Sequence, residues 1–242
     1  MMNAIKKLGM LALLMSIPAL ASASGAGVHL DKAPADLGDM ASLQRGAKFF
    51  AANCLTCHAA SYMRYNRLKD IGMSDDEIKL LLPEGSKLGS TMQAAMDPGS
   101  AKLAFGVSPP DLSVISRARG ADWLYTYLRS FYADSTRPSG ANNLIFPGVG
   151  MPNVMAPMQG ERELQVENHE GHETKKLVQS KPGTMQPAEF DATIGDVTNY
   201  LVYMGDPSSL VRHKIGYIVL GFLLLLFILV FALKKEIWKD IH

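Results

Sequence analysis

Residues 53–61 read N-C-L-T-C-H-A-A-S and hold Cys54 and Cys57, the only two cysteines of the 242-residue chain. A disulfide between these two residues would close a very small loop, so it would constrain the unfolded chain little. A redox-active dithiol of the thioredoxin type would need the pair at a strand-to-helix junction in a βαβ unit. The flanking sequences are instead helix-like on both sides. Neither interpretation uses His58, which follows the second cysteine directly.

Taken together, the three residues form the C-x-x-C-H pattern that is typical of covalent haem c attachment. The spacing places both thiols within reach of one porphyrin edge, where they can form thioethers with the vinyl groups. His58 then lies under the iron and can bind it through a neutral imidazole nitrogen. We therefore predict one covalently attached haem c, with Cys54, Cys57 and His58 as cofactor-binding residues and His58 as a metal ligand.

A haem also accounts for the irregular parts of the chain. Residues 83–110 and 134–160 are rich in glycine and proline and show little periodicity. Such segments form a core poorly by themselves, whereas a large apolar macrocycle gives them a surface to cover. The predicted fold is mostly α: a c-type cytochrome domain with long irregular loops around one haem, plus one C-terminal transmembrane helix.

The two ends of the chain predict export and membrane anchoring. A basic start, a short apolar run and small residues indicate a secretory signal peptide. Near the C-terminus, 19 uncharged apolar residues would span about 28 Å as a helix, which is close to the hydrocarbon thickness. The predicted segments are a signal peptide (1–23), a periplasmic haem domain (24–210), a transmembrane anchor (211–233) and a cytoplasmic tail (234–242).

The overall charge argues against nucleic-acid binding. The formal net charge of +1 falls to about −1 once the two lysines of the signal peptide are removed. Proteins that bind nucleic acid usually carry a marked basic surplus.

Residues 144–160, L-I-F-P-G-V-G-M-P-N-V-M-A-P-M-Q-G, are the candidate source of a sixth iron ligand. A His/Met ligand pair raises the iron potential and suits electron transfer. Prolines at this density prevent a continuous helix, and the glycines allow the backbone to lie close to a flat ligand. Met151, which lies between Gly150 and Pro152, is the most constrained candidate, and Met155 is the next.

Four stretches together resemble the cytochrome c1 family, the haem subunits of the ubiquinol–cytochrome c oxidoreductase or bc1 complex, in its bacterial form. The resemblance covers nearly the whole mature chain. It rests on R-G-A-K-F-F-A-A-N-C-L-T-C-H-A-A-S-Y-M-R-Y (45–65), P-P-D-L-S-V-I-S-R-A-R (109–119), F-P-G-V-G-M-P (146–152) and D-V-T-N-Y-L-V-Y-M-G-D-P (196–207).

The resemblance implies functions for individual residues. It favours Met151 as the sixth ligand, and it assigns Arg119 to a haem propionate. Some family members carry the ligand in a G-M-A-P context, so Met155, in M-A-P, remains an alternative.

The resemblance also implies the place of the chain in electron transport. Electrons would pass from the Rieske iron–sulfur protein through the haem to a soluble periplasmic cytochrome c, beside cytochrome b in the bacterial inner membrane. The subunit itself would contain no bond-changing catalytic site. The alternative is another membrane-anchored c-type cytochrome, such as an oxidase subunit or a quinol-dehydrogenase relay.

Several local expectations concern packing. Gly46 and Phe50 predict a helix that crosses another helix closely, with Tyr200 and Tyr203 on the partner.

Trp123, Tyr127 and Phe131 predict one amphipathic helix whose stripe faces the core. Asp111 or Ser113 is expected to cap the following turn. The acidic run at 161–173 is expected to be a solvated surface loop, or a patch that steers a basic cytochrome.

Overall fold

The computed structural model describes residues 29–169 and 172–239. The predicted signal peptide, 1–23, lies outside the described residues. Helices and strands are numbered in chain order. The helices are α1 (Met40–Asn53), α2 (Asp75–Lys79), α3 (Pro98–Phe105), α4 (Ile115–Arg119), α5 (Ala121–Arg129), α6 (Ala156–Gln159), α7 (Pro187–Gly205) and α8 (Ser209–Ile237), with a 3₁₀ helix at Tyr65–Ile71.

The strands of the described residues form three separate antiparallel pairs. The first pair joins segments that flank the 3₁₀ helix, the second follows α5, and the third is a long hairpin. No parallel pairing occurs in the described ranges, so the βαβ context of a thioredoxin-type dithiol is missing there. The pairs are β1 (Ala60–Arg64) with β2 (Thr91–Met92), β3 (Phe131–Ala133) with β4 (Ala141–Asn143), and β5 (Gly160–His169) with β6 (His172–Pro182).

The core is organised by a close crossing of α1 and α7. A Cβ atom placed on Gly46 would lie 2.1 Å from the carbonyl oxygen of Asp196 and 2.7 Å from the Cβ of Tyr200. The rings of Phe50 and Tyr200 lie 5.5 Å apart, and the Tyr203 ring lies 6.1 Å from that of Tyr200. The predicted helix crossing is confirmed, and it fixes the end of α1, from which the cysteines follow.

The acidic run is largely exposed, as expected, but the expectation that it is a loop was wrong. Its described residues form nearly all of β5 and the first two residues of β6, and in this pair of strands Leu164 pairs with Leu177 and Val166 with Lys175. The strand signal is weak because glutamates and lysines, which strands disfavour, occupy many of the exposed positions. Alternation nevertheless places Leu164 and Val166 on one face of the hairpin.

The helical stripe and the irregular loop also differ from expectation. Helix α5 ends at Arg129, so Phe131 belongs to β3 rather than to the helix of Trp123 and Tyr127. Helix α3 lies inside the supposedly irregular 83–110 segment. It begins with Pro98 in its first turn, and the Asp97 carboxylate caps the Ser100 amide at 2.8 Å.

Helix α8 is the one helix in the described ranges that is long and apolar enough to cross a membrane. Its 29 residues correspond to about 44 Å at 1.5 Å per residue, which exceeds a hydrocarbon core of about 30 Å. It covers the whole of the predicted span, 211–233.

Candidate haem site

The two cysteines lie in a tight turn that directly continues α1. The amide of Cys54 donates to the carbonyl of Phe50 at 2.9 Å, and the amide of His58 donates to the carbonyl of Cys54 at 2.8 Å. Both thiols are free and half-buried. Burial raises the pKa of the Cys54 thiol to about 12, so this sulfur remains a neutral thiol at neutral pH.

The imidazole of His58 is oriented by a hydrogen bond at one of its two nitrogens. Its Nδ1 lies 2.8 Å from the carbonyl oxygen of Pro110, and because a carbonyl can only accept, Nδ1 carries the proton. Burial lowers the pKa of His58 below its usual value, which keeps the ring neutral at neutral pH. The Nε2 lone pair is therefore available for a metal ion.

The P-P-D-L-S segment runs alongside the residues that follow His58. The amide of Leu112 donates to the carbonyl of Ala59 at 2.8 Å. Of the two candidate caps of the following turn, Asp111 accepts the Ser113 amide at 2.8 Å, whereas the Ser113 hydroxyl accepts the Tyr62 amide instead. Asp111 also accepts the Ser61 amide at 2.9 Å, a contact across 50 positions of sequence that no local pattern indicated.

Arg119, at the end of α4, lies against aromatic rings. Its guanidinium carbon is 5.0 Å from the Trp123 ring and 5.6 Å from the Phe146 ring. Within the described part of the chain no carboxylate forms a salt bridge with it. The cation is thus oriented by stacking and its donors are left for an anionic group.

Trp123, Tyr127 and Phe146, here called the aromatic cluster, connect Arg119 to Met151. Trp123 stacks on Tyr127 at 4.7 Å, and the Tyr127 hydroxyl lies 3.4 Å from the Met151 sulfur. The sequence assigned Trp123 and Tyr127 to the core and did not single out Phe146. Arg119, Trp123 and Tyr127 follow one another at intervals of four residues, and this spacing is the sequence signal that could have predicted their contact.

The two candidate methionines differ in their surroundings. Met155 is only 1% exposed and lies in the same core as Leu55, one of the two residues between the cysteines. Met151 is half-buried and contacts the Tyr127 hydroxyl through its sulfur.

These groups fit the chemistry of an iron porphyrin. The structure offers two unpaired thiols three residues apart, an imidazole with one free nitrogen, buried thioethers and a stacked cation for a carboxylate. Each of these is a donor type that c-type haem uses.

Comparisons with known proteins agree with this assignment. A family model described as "Cytochrome C1 family" matches residues 31–97 and 90–241. An ammonia monooxygenase gamma subunit of Nitrosomonas europaea is 52% identical over 234 residues, covering 96% of this chain and 97% of the relative. A cytochrome c1 of Allochromatium vinosum is 49% identical over 246 residues, covering 98% and 100%.

A solved structure shows the same fold. A chain of a hyperthermophilic respiratory Complex III superposes with a TM-score of 0.50 at 15% identity, covering 100% of this chain and 98% of that one. The mostly helical fold class and the family resemblance drawn from the four motifs are both confirmed. The chain belongs to the cytochrome c1 family, the electron-transferring haem subunits of the bc1 complex.

Proposed function

We propose that the chain carries one covalently bound haem c and passes single electrons from the Rieske iron–sulfur protein to a soluble periplasmic cytochrome c. The observation that carries the proposal is the arrangement of His58. Its Nδ1 is held by the Pro110 carbonyl, its other nitrogen has no hydrogen-bond partner among the residues that the structure describes, and it directly follows two unpaired thiols. When bound, the haem supplies a one-electron iron couple.

Cys54 and Cys57 would make the attachment permanent. Each thiol adds across a vinyl double bond, so that a carbon–sulfur bond forms and the thiol hydrogen moves to the neighbouring carbon. The addition needs no oxidant, because the two electrons of the new bond come from the thiol and the alkene. The close packing of α1 on α7 fixes the helix from whose end both cysteines follow, which would help to present the two thiols to one porphyrin edge.

The sixth ligand is proposed to come from Met151 or Met155, and two observations favour Met155. Met155 is fully buried, so the apolar protein excludes water, which would otherwise compete for the iron. The sulfur of Met151 already accepts a contact from the Tyr127 hydroxyl. Met151, the residue favoured by the sequence, then serves as a wall of the haem pocket beside the aromatic cluster.

Arg119 is proposed to pair with a haem propionate. Stacking on Trp123 and Phe146 limits the rotation of the guanidinium, which reduces the entropy lost when a carboxylate binds. Arginine and carboxylate can then form a bidentate pair.

Helix α8 is proposed to hold the haem domain at the periplasmic face of the bacterial inner membrane, next to cytochrome b. Its apolar residues are exposed, as contact with lipid or other membrane helices requires. The signal peptide, cleaved after residue 23, would direct export of the domain, and the lysines after the span would stay in the cytoplasm.

The covalent haem is tested on denatured protein. Mass spectrometry of the mature chain should show the added mass of one haem and no free thiols, and a haem stain should persist on a denaturing gel. Cys54→Ala together with Cys57→Ala should abolish both signals. A wild-type chain with two titratable thiols and no added mass would overturn the proposal and would favour a dithiol function.

The methionine ligand is tested by Met155→Leu against Met151→Leu. Loss of the ligand should abolish the sulfur-to-iron charge-transfer band and lower the potential, and we expect this for Met155→Leu only. If these effects occur for Met151→Leu only, Met151 is the sixth ligand. The electron path is tested by co-purification with cytochrome b and a Rieske protein, and by oxidation of the reduced haem by soluble cytochrome c. Isolation of the chain together with an oxidase instead would support the alternative, that the chain is another membrane-anchored c-type cytochrome.

A further inference from the structure

Two segments that are distant in sequence are joined by four hydrogen bonds beside the proposed iron ligand. One segment follows His58 and the other is the P-P-D-L-S stretch. The donors and acceptors are His58 Nδ1 with Pro110 O at 2.8 Å, Leu112 N with Ala59 O at 2.8 Å, Ser61 N with Asp111 Oδ2 at 2.9 Å, and Tyr62 N with Ser113 Oγ at 3.0 Å.

We infer that Asp111 is a positioning residue for the His58 ligand, and that it acts by holding the Pro110 carbonyl against Nδ1. The inference rests on the proposed function, because it takes His58 as the iron ligand. It adds a residue that touches neither the iron nor the imidazole, and it explains how the potential is set from the side of the histidine.

Both carboxylate oxygens of Asp111 are used, and they face different segments. Oδ1 accepts the Ser113 amide of its own turn, and Oδ2 accepts the Ser61 amide of the segment that follows His58. An ionised carboxylate can accept at both oxygens, whereas an amide side chain offers only one acceptor oxygen. Aspartate is therefore the residue that can join the turn to the histidine segment.

The prolines explain why this contact controls a carbonyl. Pro109 and Pro110 have a fixed φ and no amide hydrogen, so Pro110 cannot be held through a hydrogen bond from its own nitrogen. The next residue with a side chain that can hold the turn is Asp111. Fixing Asp111 to the Ser61 amide thus fixes the direction of the Pro110 carbonyl one residue earlier.

The consequence concerns the basicity of the imidazole. A hydrogen bond from Nδ1–H to an acceptor fixes the tautomer and makes a ligating histidine a stronger donor to its metal. A stronger donor stabilises the ferric state more than the ferrous state. When the carbonyl moves away from Nδ1, the ferric state loses this support and the midpoint potential rises.

The test measures the potential of the purified complex with Asp111→Asn and Asp111→Ala. We expect the ferrous-to-ferric ratio at a fixed ambient potential to rise about threefold to tenfold, which corresponds to a midpoint about 30 to 60 mV higher at 59 mV per decade. The Ser61 amide should also exchange its hydrogen faster in both variants. A haem determination shows that the variants carry as much haem as the wild type.

The matched control is Asp97→Asn. Asp97 also accepts the amide of a nearby serine, Ser100, but its hydrogen bonds stay within its own turn. The Asp97→Asn variant should therefore have the same midpoint potential as the wild type. An equal rise in the Asp97 variant would mean that any lost cap shifts the potential, and it would overturn the inference.

A milder variant covers the case in which the Asp111 variants do not assemble. Ser113→Ala removes the acceptor of the Tyr62 amide and leaves the carboxylate intact. A smaller rise in potential supports the inference, and an unchanged potential together with unchanged exchange at Ser61 and Tyr62 overturns it. The potentials are measured only on protein that carries attached haem. If the proposed function were wrong, the wild type itself would lack haem, so that outcome can be distinguished from a failure of the inference about Asp111.

Discussion

Replacement of Gly46 by alanine tests whether the α1–α7 crossing limits the stability of the haem domain. The new methyl group would lie 2.1 Å from the Asp196 carbonyl oxygen and 2.7 Å from both the Asp196 carbonyl carbon and the Tyr200 Cβ. No rotamer change relieves these contacts, because two of the three atoms belong to backbone and the third is fixed to it. The helices must therefore separate.

The size of the effect follows from two opposing contributions. Overpacking of a core costs about 1–3 kcal/mol, and contacts with backbone belong at the upper end of that range. Alanine in place of glycine inside a helix returns about 1 kcal/mol. The net loss of about 2 kcal/mol corresponds to a melting temperature roughly 4–8 °C lower for a domain of this size.

The assay is thermal unfolding of the detergent-solubilised protein followed by far-UV circular dichroism at one scan rate. Gly89→Ala is the matched control, since nothing lies within 4 Å of a Cβ at that position and its φ is not positive. Gly89→Ala should move the melting temperature by less than about 2 °C, which corresponds to a change of less than about 1 kcal/mol in the free energy of unfolding. A Gly46→Ala melting temperature within that margin of the wild type would refute the argument from the close crossing.

Three other variants test contacts outside the crossing. Arg129→Lys loses the bidentate pair with Asp191, at 2.7 and 2.9 Å, and should cost about 1 kcal/mol in a urea titration, because the pair is partly exposed. Hydrogen bonds from the Thr136 hydroxyl and other donors lower the pKa of Asp134 in the folded protein. The ionised carboxylate therefore stabilises the fold at pH values above about 3.9, which is the pKa of aspartate in the unfolded chain, and this stabilisation is lost as the pH falls through the lower pKa of the folded state. Asp134→Asn should thus unfold more easily than the wild type at pH 6, and the difference should vanish in acid; a constant difference would contradict the assignment. Glu163→Gln should leave the salt dependence of cytochrome c reduction unchanged, because Lys181 of β6 pairs with Glu161 and also lies in the field of Glu163; a flatter salt dependence would support steering by the acidic run.

Much of the site and its scaffold could be predicted from local patterns. Haem attachment can be predicted from the C-x-x-C-H spacing alone, because covalent geometry sets that spacing. The C-terminal membrane helix can be predicted from the length and apolarity of its segment. The crossing at Gly46 was predictable because a small residue one turn before Phe50 has few other uses within a buried helix.

The contacts of Asp111 and Met151 were beyond prediction for a physical reason. Their partners lie 50 and 24 positions away, at Ser61 and Tyr127, and are set by how whole segments pack rather than by spacing. The β5–β6 hairpin was missed for the opposite reason. Its pairing is local, but charged residues hide the alternation on which a strand prediction depends.

The short connection between α7 and α8 constrains how far the proposed electron carrier can travel. Only residues 206–208 separate the two helices, and Asp206 reaches across the connection to Arg212 at 2.5 Å and to Ser208 at 2.6 Å. A connection of three residues spans at most about 11 Å, so it would keep the proposed electron carrier close to the start of α8. A donor or acceptor that lies farther away would then have to move to the haem domain.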